Sequence, residues 1–563
     1  MDERGAVARY HERTKHHFHR YAEGPGRLDW ANQPNPFRIY EGAPKRPLAL
    51  DGGEGPATFD ALHRTGAVSC RPLNAANLGR LLRFSMGLSA WKALGGDRWA
   101  LRCNPSSGNL HPTEAYVASP GLTGLAAGVY HYDSLHHALE LRSAPSSTGW
   151  SAAFPEGTVL LGLASIHWRE AWKYGERAFR YCQHDAGHAL AAVRYAAAAL
   201  GWRATLLEGW SDEAGERLLG LRRDEDFEGA DREAFDLLLS VGPSPAPVHA
   251  AAFLEALDGA VWSGRANGLS AERVPWPAIE QVHEASRLGG ASGRVAEETT
   301  DRGLPALQPP PTETGAMDLF LRRRSAVAFD GRGTMPRASF FRILDALLPR
   351  PGVPPFDALT WAPRIHLALF AHRVEGLAAG LYVFARASSA VGRLRSSMNP
   401  AWAWDPVPEA PAHLPLFRLA SEDLREPARV LSCVQAIASD SCFSLGMLAE
   451  FATSLDEGAW WYRRLYWEAG AVGQALYLRA EAEGFRGTGI GCYFDDEVHR
   501  FLGIEGDALQ SLYHFTVGVP IEDGRLTTLE PYGHLEGREQ ASRCAGKSGE
   551  SLGGAVPPDL LTS

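Results

Sequence analysis

The 563-residue sequence has few cysteines, and no two of them stand in the spacing of a metal or redox motif. Their number is odd and they are scattered along the chain: Cys70, Cys103, Cys182, Cys433, Cys442, Cys492 and Cys544. This pattern argues against a disulfide framework and a structural zinc site, and it favours a reducing compartment. A group of histidines, His11, His16, His17 and His19, has no second ligand cluster elsewhere to complete a site. We therefore expect no metal.

Long apolar runs and basic blocks are also absent. The first 21 residues are polar and lack the apolar segment of a signal peptide. The most apolar helical stretch, residues 188–200, carries His188 and Arg194 and is too short to cross a bilayer. The net charge of -10 comes with no Lys/Arg cluster suited to a phosphate backbone. Nucleic acid and membranes are thus not expected as partners, and the cytoplasm is the expected location.

Two internal matches indicate a duplicated unit. Residues 124–130 read GLAAGVY and residues 376–382 read GLAAGLY, while residues 179–221 align without a gap to residues 462–504. Each of the longer segments is followed by a strand-like run that ends in Val-Gly and then proline. A chain of this length is expected to form two domains. We interpret it as two copies of a unit of a little over two hundred residues, fused as a pseudo-dimer that needs no second chain.

Each unit combines alanine-rich helices with short apolar strands, such as residues 158–165 and 366–371. This mixture predicts an α+β fold in which helices pack around a sheet. The predicted organisation is an N-terminal extension (1–48), copy one (49–250), a Pro- and Gly-rich linker with one helix near residues 277–288 (251–315), copy two (316–537) and a disordered tail (538–563).

Two segments occur in copy two only. Residues 321–331 (LRRRSAVAFDG) place arginines beside a serine, which suits a phosphate monoester or a polar heteroaromatic edge. Residues 484–492 (GFRGTGIGC) contain glycines that let the backbone approach a flat ligand. A solvated helix end and a tight turn are the alternatives for these two segments. Neither the dinucleotide-binding glycine motif nor a P-loop lysine is present.

Two other segments occur in copy one only. Residues 102–117 contain a loop, PSSGN, whose hydroxyl and amide groups suit the edge of a heterocycle. Residues 168–181 contain the adjacent pair Lys173 and Tyr174, whose alternative role is a surface lysine paired with Glu170 or Glu176. Because the candidate parts are complementary, we expect one composite pocket between the copies.

Together these segments resemble the FMN-dependent nitroreductase superfamily, and within it the SagB-type dehydrogenases, which include azoline oxidases of peptide natural-product pathways. The resemblance rests on RRS, PSSGNLHP, WKYGERAFRY followed by DAGH, RGTGIG, and the N-terminal segment from Tyr10 onward. It covers both copies. It implies that each copy has a mostly antiparallel sheet and that FMN binds between the copies.

The resemblance also assigns the cofactor-binding residues. It implies that Arg323 contacts the phosphate, that Ser325 contacts the polar edge of the flavin, and that the glycines run along the isoalloxazine near N5. The implied contacts are Pro105, Ser106, Ser107 and Asn109 from copy one, and Arg323, Ser325, Gly487, Gly489, Gly491 and Arg525 from copy two. Val327 stands where the family commonly has a second basic residue. Since neither copy has both sets of parts, one FMN per chain is expected.

Lys173 and Tyr174 match a catalytic Lys-Tyr pair of the SagB-type azoline dehydrogenases. The implied activity is an FMN-dependent oxidoreductase that transfers hydride at flavin N5 and dehydrogenates a small or peptide-derived heterocycle. A lysine desolvated beside a flavin would have a lowered pKa and could accept the substrate proton. Two alternatives remain: an NAD(P)H-dependent nitro- or quinone reductase, and a non-catalytic flavoprotein subunit of a biosynthetic complex.

Overall fold

The computed structural model describes residues 2–50, 57–145, 148–246, 248–290 and 303–535, so the predicted tail lies outside the described residues. The helices are α1 (Glu3–Arg13), α2 (Ala75–Ser85), α3 (Thr148–Ala152), α4 (His167–Tyr174), α5 (Ala178–Ala199), α6 (Asp212–Leu219), α7 (Ala250–Ala256), α8 (Pro277–Ala285), α9 (Ala316–Arg322), α10 (Arg337–Asp345), α11 (Val391–Ser397), α12 (Arg425–Leu431), α13 (Ala436–Asp440), α14 (Phe451–Glu457), α15 (Trp461–Ala482) and α16 (Asp495–Leu502).

The strands are β1 (Tyr40–Glu41), β2 (Lys45–Pro47), β3 (Leu88–Leu94), β4 (Asp97–Arg102), β5 (Thr113–Ser119), β6 (Gly128–Asp133), β7 (Ala138–Ser143), β8 (Val159–Ser165), β9 (Arg203–Leu206), β10 (Ala234–Gly242), β11 (Arg265–Ala266), β12 (Ile365–Ala371), β13 (Gly380–Phe384), β14 (Asp405–Pro406), β15 (Leu416–Ala420), β16 (Phe443–Glu450), β17 (Arg486–Ile490), β18 (Leu509–Gly518) and β19 (Thr527–Leu529).

The sheets of the two copies share six equivalent strands and differ in the origin of one edge strand, β2 or β14. Copy one has the order β2-β7-β6-β5-β8-β10-β9, and copy two has β14-β15-β13-β12-β16-β18-β17. Every neighbouring pair in both sheets is antiparallel. The central strands β8 and β12 are buried along their whole length, as their apolar sequences predict. The predicted α+β fold with a duplicated unit is confirmed.

The repeated seven-residue segment builds the same turn and strand start in each copy. Gly124 and Gly376 have left-handed φ angles of 85° and 67° at the turn. Gly128 and Gly380 begin β6 and β13, where a Cβ would collide with the carbonyl oxygen of the neighbouring strand. Two residues further on, the tyrosine hydroxyl donates to a carbonyl of the turn in both copies. The glycines and the tyrosine that the two segments share are therefore explained by the same turn and strand start in both copies.

The copies meet where the two 22-residue helices α5 and α15 cross. A Cβ on Gly187 would overlap the backbone of Trp467, and a Cβ on Gly470 would overlap the carbonyl oxygen of His184. Residues 179–221 and 462–504 are related by an offset of 283, and the same offset relates Gly187 to Gly470 and His184 to Trp467. Each contact is therefore the counterpart of the other, so the interface is isologous, as in a two-fold dimer. Small residues at the crossing let the helix backbones approach closely.

Buried ion pairs follow the same symmetry. Arg180 of copy one pairs with Asp495 at the start of α16 (Nη1–Oδ1 2.8 Å), and Arg463 of copy two pairs with Asp212 at the start of α6 (Nη2–Oδ2 2.7 Å). All four side chains are almost completely buried. A carboxylate in the first turn is favoured by the helix dipole, and the partner arginine compensates the cost of burying it. Each copy therefore binds a helix start of the other.

The segments outside the repeats pack onto the pseudo-dimer. The predicted linker contains α7, β11 and α8, so it has more regular structure than a linker with one helix, and α8 packs against α1. Strand β19, which follows the sheet of copy two, pairs with β3 of copy one. Tyr532 then donates a hydrogen bond to the carbonyl of Ser134 and accepts one from the Leu88 amide. The end of copy two is thus anchored on copy one.

Candidate active site

A cavity of about 710 Å³ lies between the copies. Its wall includes most of the residues that the sequence pointed to: Pro105, Ser106, Ser107, Asn109 and Tyr174 from copy one, and Arg323, Ser325, Gly489 and Gly491 from copy two. Cofactor and ligand sites commonly have volumes of about 300–1,000 Å³. The complementary segments therefore converge on one cavity of suitable size.

The arginine-serine segment lies directly beside the glycine strand. Ser325 forms a parallel bridge with Gly487, and the Ala326 amide donates to the Gly487 carbonyl at 3.1 Å. The Ser325 hydroxyl is 2.8 Å from the hydroxyl of Tyr477, which also accepts a hydrogen bond from the Gly489 amide at 2.9 Å. Two segments 160 residues apart thus form one continuous wall.

Arg323 connects this wall to copy one. Its guanidinium donates to the carbonyls of Cys103 (3.1 Å) and Arg102 (3.0 Å), immediately before the serine loop. The same group lies over the ring of Tyr477, 5.1 Å from the centroid. Burial lowers the pKa of Arg323. Arg323 therefore lines the cavity and also holds the two copies together there.

More basic residues surround Arg323 than the sequence suggested. The cavity wall also contains Lys92, Arg322, Arg324 and Arg486. Lys92 belongs to β3 of copy one, and its ammonium donates to Thr528 of β19 at 2.7 Å. Nothing in the sequence around Lys92 indicates this position, because it depends on the pairing of β3 with β19. The wall therefore combines these basic side chains with the carboxylates of Glu522 and Asp523, and Arg486 is paired with Glu522.

Arg525, predicted as a further phosphate contact, is not part of the cavity wall. Its guanidinium binds the carboxylate of Asp523, two residues earlier, with Nη2–Oδ2 at 2.7 Å. The side chain is 70% exposed. Asp523 itself lines the cavity, so the turn is nearby, but the structure does not bring the Arg525 guanidinium to the wall.

The serine loop is fixed by hydrogen bonds beneath it. The amide and hydroxyl of Ser107 both donate to Asp185 of α5, at 3.2 and 3.1 Å. The Ser106 hydroxyl accepts from the His111 amide at 2.8 Å. The Asn109 side chain donates to the Ala100 carbonyl at 2.9 Å, and Asn109 has a φ of 59°. The side-chain amide of Asn109 therefore stabilises the turn through its hydrogen bond to Ala100.

The glycines of β17 and the turn after it allow tyrosines to pack against the backbone. A Cβ on Gly489 would overlap the hydroxyl of Tyr513, and a Cβ on Gly491 would overlap the ring of Tyr181. Both tyrosines line the cavity. The glycines are therefore required by close packing, and no local sequence pattern indicates their aromatic neighbours.

Lys173 and Tyr174 lie at the end of α4, against the serine loop. A Cβ on Gly108 would be 2.6 Å from the Tyr174 hydroxyl and 3.2 Å from the Lys173 ammonium, so Gly108 contacts both groups. Tyr174 is part of the cavity wall, and the Lys173 ammonium lies beside Gly108 of the serine loop without being one of the wall residues. Burial lowers the pKa of Lys173 to about 8, and nearby Glu170 opposes this effect.

Burial and the charge of Glu170 together raise the pKa of Tyr174 well above its usual value. The alternative of a surface ion pair with Glu176 is not supported, since that carboxylate binds Arg13 at 2.5 Å.

A much smaller void lies on the other side of the pseudo-dimer, near the counterpart of Gly489. The void there measures about 30 Å³ and is lined by residues that include Leu206, Leu207, Trp460 and Trp467. Under the repeat offset, Leu206 and Leu207 stand where Gly489 and Ile490 stand in copy two. Large side chains therefore fill the second site.

One group of three possible metal ligands occurs among the described residues, outside the cavity: Glu12, His17 and Asp496. The Lys15 ammonium lies 2.8 Å from a carboxylate oxygen of both Glu12 and Asp496. The group is thus an ion-pair cluster in which lysine supplies the positive charge. In the part of the chain that the structure describes, no helix is long and apolar enough to cross a bilayer.

Comparisons with known proteins agree with this fold. Residues 73–230 match the model of the nitroreductase family. A crystal structure from Anabaena variabilis, of a candidate nitroreductase, superposes with a TM-score of 0.66 at 23% identity and covers 92% of this chain and 99% of that one. Residues 73–230 are therefore similar to the nitroreductase family, and the chain shares the fold of the Anabaena structure.

Two curated relatives are similar over shorter segments. The trifolitoxin-processing protein TfxB of Rhizobium leguminosarum is 37% identical over 110 residues, which cover 17% of this chain and 29% of the relative. A candidate nitroreductase of Methanocaldococcus jannaschii is 28% identical over 140 residues, which cover 23% of this chain and 66% of the relative. The chain thus spans less than a third of TfxB and just under two thirds of the second protein.

Proposed function

We propose that the chain is an FMN-dependent dehydrogenase of the SagB type, which oxidises an azoline-like ring derived from a peptide. The observation that carries this proposal is the position of Lys173 and Tyr174, which contact the serine loop at Gly108. This loop is part of the cavity wall, and the wall contains all the candidate cofactor residues except Gly487 and Arg525. The similarity to a protein named for trifolitoxin processing supports a peptide-derived substrate.

The residues of the cavity fit FMN. The neighbouring Arg323 and Arg324 side chains of the wall suit a phosphate dianion. Asn104 lines the cavity with a buried Oδ1 that has no hydrogen-bond partner among the described residues, and a heteroaromatic N–H would satisfy it. Tyr477 and Tyr513 add aromatic surface along the wall. When bound, FMN would supply a hydride acceptor.

The chain's own residues would manage the proton. Because burial lowers the pKa of Lys173 to about 8, a substantial fraction of its side chain is a neutral amine near that pH and can accept a proton. Tyr174 stays protonated, since its pKa is raised, and its hydroxyl can donate a hydrogen bond to the substrate or the base. Lys173 is therefore the proposed base and Tyr174 the proposed donor.

A nitro- or quinone reductase that uses NAD(P)H is a second candidate, favoured by the family match of residues 73–230. Reduction of this kind needs the cofactor and an open cavity but no base that removes a proton from carbon. Variants of Lys173 therefore separate the two candidates.

The test uses protein reconstituted with FMN and a peptide that carries one thiazoline ring. Oxidation is followed by the loss of two hydrogens in the mass spectrum. We expect Lys173→Ala to lower turnover by about 10²-fold or more, as removal of a general base does. Lys173→Arg is the matched control for charge, because arginine cannot deprotonate. It should be equally inactive, and reduction of a nitroarene should survive in both variants. Unchanged thiazoline oxidation in either variant would refute the proposed role.

A further inference from the structure

Two cysteines that are far apart in the sequence meet in the cavity wall. Cys433 lies in the turn between α12 and α13, and Cys492 follows Gly491 at the end of β17. Both cysteines are partly exposed, and both belong to the wall. The proposed function gives neither of them a role.

The backbone on both sides holds the two residues together. The Phe494 amide donates to the Leu431 carbonyl at 2.9 Å, and the Gln435 side-chain amide donates to the Cys492 carbonyl at 3.2 Å. Cys433 lies midway between Leu431 and Gln435, so these two bonds fix its turn against the segment that carries Cys492. The side chains of the two cysteines are hydrogen-bonded to each other. The two thiols are thus in contact within one wall.

The turn that carries Cys433 has an unusual backbone conformation. Cys433 and Val434 have left-handed φ angles of 53° and 60°, which residues other than glycine seldom adopt, and β-branched valine least of all. Such a conformation persists only where the surrounding contacts hold it, and it is common at functional sites. The structure therefore keeps the Cys433 side chain in the wall at a cost in backbone energy.

The surroundings of Cys492 favour a thiolate. The hydrogen bond from Cys433 lowers the pKa of Cys492, and the charge of Arg177 acts in the same direction, against burial and the charge of Asp495. The Arg177 guanidinium is close by, since it donates to the Gly491 carbonyl at 3.2 Å. The hydrogen bond to Cys492 and burial raise the pKa of Cys433, so that thiol keeps its proton. Cys492 is therefore the nucleophile of the pair, because a thiolate and not a thiol attacks sulfur.

The other cysteines of the described residues have different surroundings. Cys103, Cys182 and Cys442 are buried, and burial raises the pKa of each thiol. Cys70 is exposed and lies outside the wall. The one group of three possible metal ligands among the described residues includes no cysteine, so a metal is not indicated for the pair. Two partly exposed thiols beside a cation are instead typical of reactive cysteines.

We propose that Cys433 and Cys492 are a redox-active dithiol, which a small-molecule disulfide oxidises to an intramolecular disulfide in the cavity wall. The Cys492 thiolate attacks one sulfur of the small disulfide, releases one thiolate and becomes a mixed disulfide. The Cys433 thiol, which no longer faces a thiolate, then loses its proton, attacks the Cys492 sulfur and releases the second small thiol. The two protein thiols lose two electrons and two protons, and the small disulfide gains them as two thiols. This inference does not depend on the proposed function.

The disulfide is tested on the full chain by oxidation with hydroxyethyl disulfide, alkylation of the remaining thiols and peptide mass spectrometry. Digestion before aspartate cuts at Asp440 and so separates Cys433 from Cys442. We expect a cross-link between the peptides of Cys433 and Cys492, which is two hydrogens lighter than their sum and is lost on reduction with dithiothreitol. The control is Cys70→Ser, in which the same cross-link should form. Recovery of the two peptides unlinked, alkylated or as separate mixed disulfides, would overturn the proposal.

Single variants test the role of each thiol. Cys433→Ser keeps a hydroxyl that can donate to the Cys492 thiolate, so we expect its reaction with hydroxyethyl disulfide to stop at the mixed disulfide. Cys492→Ser retains only the thiol that holds its proton, and we expect Cys433 to form a mixed disulfide about tenfold more slowly or less. Equal rates in the two variants would contradict the assignment of Cys492 as the nucleophile.

Phenylarsine oxide tests the dithiol by a second reaction, because it binds two neighbouring thiols with release of one water. We expect the wild type and Cys70→Ser to bind one equivalent that dithiothreitol removes, and Cys433→Ser and Cys492→Ser to bind none. Circular dichroism checks that the variants are folded. If a variant is unfolded, the peptides that carry the arsenical in the wild type decide the question. Binding at any other pair of cysteines, or no binding, would contradict the proposal.

Discussion

At the scale of single residues, the cavity wall depends on glycines whose neighbours come from elsewhere in the chain. Gly489 is packed against the hydroxyl of Tyr513, and Gly491 against the ring of Tyr181 in the other copy. Any larger residue would overlap a buried ring. The glycines therefore determine both the packing of the wall and the space left for a ligand.

Gly489→Ala tests this dependence. We expect the added methyl group to displace Tyr513, to cost about 1–3 kcal/mol of unfolding free energy as overpacking does, and to weaken FMN binding. Urea denaturation and fluorescence titration with FMN measure the two effects. The matched control is Gly209→Ala in the corresponding segment of copy one, where a Cβ meets no atom within 4 Å. Equal behaviour of the two variants would show that the packing at Gly489 is unimportant.

The sequence predicted the polar and glycine residues of the wall but not its aromatic and basic ones. Serine loops, glycine runs and a Lys-Tyr pair are recognisable as local patterns. Tyr477, Tyr513 and Lys92 lie in ordinary helix and strand sequences, and only the pairing of distant segments brings them to the cavity. The sequence presents Glu170 only as a possible surface partner of Lys173, because burial is not visible in a single turn of helix.

At the scale of elements, the crossing of α5 and α15 sets the distance between the copies. Gly187 and Gly470 meet the backbone of the opposite helix, so no side chain can be added there without moving a helix. Both helices also contribute to the cavity: His188 and Tyr181 come from α5, and Tyr477 comes from α15. A shift at the crossing would therefore be transmitted to the site.

Gly187→Ala should be strongly destabilising for this reason. We expect a loss of about 1–3 kcal/mol or more of unfolding free energy, because the obstacle is backbone and not a flexible side chain. Gly392→Ala in α11 is the control: a Cβ there meets no atom within 4 Å, and the change should be neutral or stabilising by up to about 1 kcal/mol. Thermal and urea unfolding of both proteins measure the difference, and a neutral Gly187→Ala would contradict the packing described.

Strands and helices with strong apolar patterns were predictable, whereas small elements outside the repeats were not. The sequences of β8, β12 and α5 indicate their structure directly. Strand β19 has three exposed residues and forms because β3 offers it a free edge, and β11 has two residues that pair with β1. Such elements are created by tertiary contacts and leave no periodic pattern.

At the scale of the whole molecule, duplication has produced one large cavity and one filled counterpart. The pseudo-two-fold contacts, including the Arg180–Asp495 and Arg463–Asp212 pairs, persist on both sides. The cavity volumes, in contrast, differ: about 710 Å³ on one side and about 30 Å³ on the other. The interface has kept its symmetry while the sites have diverged.

The most direct measurement of the central claim is a titration of the flavin-free protein with FMN, followed by flavin fluorescence. The account predicts one equivalent per chain. It also predicts that Arg324→Ala in copy two and Ser107→Ala in copy one each weaken FMN binding. The lost charged contact of Arg324 should cost about tenfold in affinity. Arg64→Ala, which changes an exposed arginine of copy one that pairs with Asp60 and is not part of the cavity wall, should have no effect. Two equivalents, no binding, or sensitivity to changes in only one copy would contradict a single site shared by both halves.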